Sequence, residues 1–146
     1  MKKELVSGIN TYLADVAVLY IKWHNVHWNV VGSQFKPVHE YLETLYDSLA
    51  DVLDEVAELL KMNGETPLAS MKDYLCVTTV QELDSVEESI PTVLDIVTKD
   101  IKGLDASAKA IRALANEEDA FDVVGMMEDH VGNYAKNLWF LSAMVK

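Results

Sequence analysis

The sequence predicts an all-α protein, a bundle of four long helices with a long connection between the second and the third. Three observations carry this. Apolar residues recur at steps of three and four over four separate stretches. Only six Gly and three Pro punctuate 146 residues, sparse for an all-β chain, which needs a turn about every ten residues. One stretch, residues 65–86, lacks any long period; antiparallel neighbours need only a few connecting residues, whereas a connection this long can run the length of a bundle.

The first helix is drawn by Leu5, Ile9, Tyr12, Val16, Tyr20, Trp23 and His27 on one face. It is expected to end near Val31–Gly32, with Gly32 as its C-cap. Ser33 opens the second unit. Pro37 sits in its first turn, where a missing N–H is tolerated, and Val38, Leu42, Leu45, Leu49, Val52, Val56, Leu59 and Leu60 form the apolar stripe. Asn63–Gly64 stops this helix and Pro67 follows. Within the connection a short helix is expected near residues 79–84. The third helix is expected from Val86–Glu87, with Pro91 in its first turns and Glu87 and Glu88 at its positive end. Ile90, Leu94, Val97, Ile101, Leu104, Ala108, Ile111 and Leu114 continue it. The acidic break Asn116–Asp119 leads to a last helix carrying Phe121, Val124, Met127, Val131, Tyr134, Leu138, Leu141 and Val145.

Half of the residues are hydrophobic, enough to bury a core, and the length fits one domain over residues 1–146. There are 24 acidic against 12 basic residues, a net charge of −12. Such a chain repels nucleic acid and anionic membranes and attracts cations; the basic pair Lys2–Lys3 is too short for a polybasic arm. The lone Cys76 excludes an intrachain disulfide and a thiolate metal site, and is expected to pack as a small apolar residue. Asn10, Asp15 and Lys22 interrupt the apolar N-terminal stretch, so neither a signal peptide nor a membrane span is expected, and a cytoplasmic location is the simplest expectation.

Three of the four histidines, His24, His27 and His39, lie close together, and carboxylates follow at Glu40, Glu43, Asp47, Asp51, Asp54, Glu55 and Glu58. Imidazole with carboxylate suits iron, zinc or manganese. On a helical wheel His39, Glu43, Asp47, Asp54 and Glu58 share one stripe about 100° wide. Yet His39 and Glu58 are separated by roughly 28 Å along the axis, and Glu43 and Asp54 by roughly 16 Å. No ion reaches across either gap. Two copies of this helix packed antiparallel about a two-fold axis resolve the difficulty, because the His39 end of one chain meets the Glu58 end of the other, twice over. Each composite site then holds His27, His39 and Glu43 from one chain and Asp54 and Glu58 from its partner. There is no Glu-x-x-His for an intrachain di-iron site, no HExxH, no phosphate loop and no G-x-S-x-G.

Residues 22–64, KWHNVHWNVVGSQFKPVHEYLETLYDSLADVLDEVAELLKMNG, resemble the signature region of the Dps mini-ferritins. The matching parts are HNVHWNV, Phe35 followed by His39–Glu40, and LDEVAE with Gly64 and Pro67 beyond. The likeness continues through PLASMKDYL and KNLWFLSAM, so it covers nearly the whole chain. It implies a ferritin-like subunit of a hollow dodecamer that oxidises Fe(II), preferably with hydrogen peroxide, and stores the ferric product. It implies ferroxidase ligands across the two-fold interface, at His27, His39, Asp54 and Glu58 by position, in agreement with the spacing argument. One position departs: the family usually has Asp four residues after the second His, where this chain has Glu43. Trp28, directly after His27, is expected either as a packed aromatic or as an electron donor that intercepts oxidising equivalents. Glu117, Glu118, Asp119, Asp122, Glu128 and Asp129 are candidates for lining a cation pore or for a solvated helix start. His130 has no nameable partner.

The alternative function is DNA compaction, since many Dps relatives bind DNA. They usually do so through a Lys/Arg-rich tail, which this chain lacks, so direct DNA binding is not expected.

Overall fold

A computed structural model describes all residues, Met1–Lys146, and bears out the all-α bundle. The helices are α1 (Lys3–Asn29), α2 (Phe35–Met62), a short α3 (Met71–Val77), α4 (Ile90–Glu117) and α5 (Phe121–Met144). Two antiparallel hairpins, α1/α2 and α4/α5, pack together chiefly through α1 against α4. Their apolar faces form one contiguous core of 28 buried residues, with Trp23, Tyr12 and Met127 among the largest.

By length and composition alone α1 would pass for a membrane span. Its polar interruptions show why it belongs in a bundle instead. Asn10 Oδ1 accepts from the Leu68 amide at 2.9 Å. Buried Asp15 accepts from Thr78 Oγ1, the Thr79 amide and Thr79 Oγ1 at 2.7, 2.7 and 2.8 Å. Asn25 Nδ2 donates to the Asp84 carbonyl at 3.1 Å. These three residues fasten the crossover along α1 at successive levels, supplying partners that an irregular segment cannot find within itself. Lys22 instead reaches α4 and pairs with Asp100 at 2.8 Å, and Trp23 Nε1 donates to the same carboxylate at 3.1 Å.

The turns differ from the sequence expectations in physical detail. α1 closes at Asn29, and Val30 and Val31 form a two-residue parallel ladder with Glu88 and Ser89 (β1, Val30–Val31; β2, Glu88–Ser89). Gly32 is therefore not a helix C-cap. It holds φ +149°, where an L side chain is strained, and a Cβ there would come within 2.8 Å of Ile90 Cδ1, so the turn favours glycine. Gly64, at φ +77°, does end its helix as expected: the Glu65 amide donates to the Leu60 carbonyl and the Gly64 amide to Lys61, a Schellman turn. Asp119 makes the same turn after α4 at φ 57°.

The short crossover helix lies at 71–77, not 79–84. Ser70 caps it by accepting from the Asp73 amide, whereas Thr78 and Thr79 are spent on Asp15. α4 starts at Ile90, a few residues later than expected, because Glu88–Ser89 is drawn into the ladder and Ser89 caps the helix. Cys76, on α3, is exposed rather than packed.

Candidate metal centre

The turn between α1 and α2 decides where the histidines meet. His27 lies in the last turn of α1 and His39 in the second turn of α2, and the ladder at Val30–Val31 with Gly32 holds the chain between them. Their rings stack with centroids 3.7 Å apart and planes 11° apart. His27 Nδ1 donates to the His39 carbonyl and His39 Nδ1 to the His27 carbonyl, both at 2.7 Å. A carbonyl only accepts, so each Nδ1 carries the hydrogen and each neutral ring keeps its lone pair on Nε2. The reciprocal bonds thus set the tautomer a metal ligand needs and fix both rings before any ion arrives.

An aromatic wall surrounds this pair. Phe35 stacks on His39 at 4.8 Å, and Tyr46 stands edge-on to His27 at 5.1 Å. Tyr46 also stacks on His24 at 3.7 Å and donates its hydroxyl to Glu43 Oε1 at 3.2 Å. Partial burial, and then the Glu43 carboxylate, push the Tyr46 phenol upward, so it stays protonated and donating. Tyr46 was not singled out in the sequence, although its place one turn beyond Glu43 on the His39 face was the available signal. His24, half-buried, backs this wall through Tyr46 and bonds the Tyr20 carbonyl at 2.6 Å.

The remaining residues separate clearly. Glu43, Asp47, Asp54 and Glu58 are all exposed on α2, and within one chain no three His, Cys, Asp or Glu side chains converge on a common point. One chain therefore brings His27 and His39 together, with Glu43 tethered nearby, and leaves Asp54 and Glu58 toward the other end of the same helix. Trp28 is 66% exposed and contacts His24, which removes the packed-core reading within the subunit.

Of the acidic residues near the α4–α5 junction, three are engaged. Glu118 accepts from the Lys2 amide, Asp122 from Asn63 Nδ2, and Glu128 pairs with Arg112. His130, which the sequence left without a partner, is buried between Tyr12 and Glu55.

Comparison with known proteins gives a consistent result. The Ferritin-like domain family matches residues 6–146. The chain is similar to antigen TpF1 of Treponema pallidum, 35% identical over 94% of this chain and 78% of that protein. The crystal structure of that antigen superposes with a TM-score of 0.95, covering 98% of this chain and 92% of that one. DNA protection during starvation protein 2 of Bacillus anthracis is 31% identical over 99% of both chains. A Dps protein from Vibrio cholerae, described as one of the ferritin-like diiron-carboxylate proteins, superposes with a TM-score of 0.92 at 26% identity, over 99% of this chain and 90% of that one.

Proposed function

This chain belongs to the Dps mini-ferritins of the ferritin-like family, and on that premise we propose that it is a ferroxidase and iron-storage protein that protects against oxidative stress. The observation that carries the reading is the His27–His39 pair, whose Nδ1 hydrogens are committed to carbonyls so that both Nε2 lone pairs are free. In the proposed dimer Glu43 joins them from the same chain, while Asp54 and Glu58 come from the partner. Antiparallel packing of two α2 helices supplies these, since each chain alone lacks a three-ligand cluster.

Iron is the substrate. Carboxylate oxygens favour the ferric ion, which lowers the cost of oxidation. Two Fe(II) each give one electron to hydrogen peroxide, whose O–O bond breaks to two hydroxides, so no hydroxyl radical is released. Ferric product then hydrolyses in the interior of a closed homo-oligomer, a dodecamer in this proposal. Trp28, exposed beside His24, serves as a donor that intercepts stray oxidising equivalents. Zinc or manganese can occupy the same nitrogen and oxygen ligands in place of iron. A cytoplasmic location belongs to the same reading, and the net charge of −12 opposes direct contact with DNA.

The test is stopped-flow mixing of the purified assembly with Fe(II) and peroxide. A rapid rise in ferric absorbance, lost in His39→Ala and in Asp54→Ala, is expected. No rise, or undiminished rates in both variants, overturns the reading.

A further inference from the structure

Away from the histidine pair, the bundle interior holds a line of hydrogen-bonded side chains for which the iron chemistry above has no use. Tyr12 on α1 and Tyr134 on α5 join hydroxyl to hydroxyl. Tyr12 Oη lies 2.9 Å from His130 Nδ1, and His130 Nε2 bonds Glu55 Oε1 of α2. Tyr12, Tyr134 and His130 are 1%, 4% and 6% exposed. The directions follow from the chemistry of each group. The Glu55 carboxylate accepts, so His130 Nε2 carries a hydrogen, and in the uncharged form of the ring this leaves Nδ1 as the acceptor. The Tyr12 O–H therefore donates to Nδ1, and the Tyr134 O–H donates to the Tyr12 oxygen.

This arrangement places a base on the phenol of Tyr12, a carboxylate behind the base, and a donor on the oxygen that remains. Desolvation pushes the Tyr12 and Tyr134 phenols upward, so neither rests as a phenolate. Oxidising Tyr12 thus requires its proton to leave with the electron, and His130 stands where that proton must go. Glu55 follows Asp54 in α2; its carboxylate reaches His130 from the rim of the bundle, with the side chain still 45% exposed, whereas Asp54 and Glu58 bond nothing within the chain and are exposed on the outer face. The line thus runs from buried Tyr12 and His130 out to the half-exposed Glu55, the residue next in sequence to a carboxylate of the proposed iron centre.

We propose that Tyr12 is a redox-active residue that gives one electron to peroxide when a single Fe(II) is present at the shared centre, its proton crossing to Nδ1 of His130. This rests on the iron reading above. The step balances: Fe(II) supplies one electron and Tyr12 the other, and the O–O bond breaks to two hydroxides. Fe(III), a neutral Tyr12 phenoxyl radical and a His130 imidazolium remain. A second Fe(II) returns an electron to the phenoxyl and His130 returns the proton. Tyr134 stabilises the phenoxyl oxygen by its hydrogen bond, and burial shields the radical from solvent.

The experiment has two arms. In the first, the iron-free assembly is oxidised by azide radical in pulse radiolysis. A long-lived tyrosyl radical is expected, narrowed in its EPR spectrum by ring-deuterated tyrosine, lost in Tyr12→Phe and shortened in His130→Gln, but kept in Tyr41→Phe. In the second, one Fe(II) per centre is mixed with peroxide and freeze-quenched, and the same radical is expected in the wild type and not in Tyr12→Phe. The deuterium label identifies the radical type without any mutation, so a poorly folding variant does not spare the proposal. A wild type without a long-lived tyrosyl radical in either arm, or a signal unchanged in Tyr12→Phe, overturns it. So does a radical in the first arm only, with ferric iron formed in the second. Absence of ferric iron altogether is a separate result that overturns the iron reading and this proposal with it.

Discussion

Two regions of this molecule are built around histidine, and they use it in opposite ways. At the α1–α2 turn, His27 and His39 each commit one nitrogen to a carbonyl and leave the other free. In the bundle interior, His130 has both nitrogens engaged, by Tyr12 and by Glu55. The first pair is poised for a ligand from outside; the second has no lone pair to offer and can only pass or hold a proton. Residue type does not distinguish these roles. What holds the other ring nitrogen does.

The largest effect is expected at the open pair. Removing one imidazole of the pair in His39→Ala should slow Fe(II) oxidation by about 100-fold or more, read by ferric absorbance, because a ligand is lost together with the ring that stacks on His27. Next comes the turn that brings the pair together. Gly32→Ala should lower stability by about 1–3 kcal/mol in thermal or urea unfolding, and iron binding should weaken with it as His27 and His39 lose their register. At the closed site, His130→Leu removes the buried bond from Tyr12 and the charge-assisted bond to Glu55, and should cost about 1–3 kcal/mol.

An alkaline titration sharpens the contrast further. Burial raises the Tyr12 and Tyr134 phenols well above 10.0 and the Tyr41 phenol to about 12. Folded-state values above unfolded ones mean stability fully present below pH 10 and falling as pH rises beyond it, since only the unfolded chain ionises there. Phenolate absorbance from Tyr12 and Tyr134 should therefore appear only as the bundle unfolds. The smallest effect belongs to neither site: Cys76→Ser, exposed on α3, should change stability by less than about 0.5 kcal/mol.

Much of the fold was legible because helices write their buried face into local spacing. Leu5 to His27 and Val38 to Leu60 could be placed without any tertiary knowledge, and His27 and His39 were visible because a short turn must bring them close. What the sequence hid depends on distant partners. Asn10, Asp15 and Lys22 read as interruptions of an apolar run, yet each holds a segment far away in the chain. The short crossover helix, expected near residues 79–84, instead starts where Ser70 caps the Asp73 amide, while Thr78 and Thr79 serve Asp15 across the bundle. His130 had no visible partner because Tyr12 lies 118 residues away and Glu55 lies 75 residues away. Tyr46, by contrast, could have been found, since it shares the face of His39 and Glu43.

The central claim is that the iron centre is shared, and subunit mixing tests it most directly. Chains carrying His39→Ala and chains carrying Asp54→Ala are each expected to be inactive alone, because every composite site then has one defect. Co-assembled in equal amounts, a mixed dimer collects both defects in one site and leaves the other intact. The mixture should regain about a quarter of wild-type Fe(II) oxidation if pairing is random. No regained activity in verified mixed assemblies would contradict the account and return the ligands to a single chain.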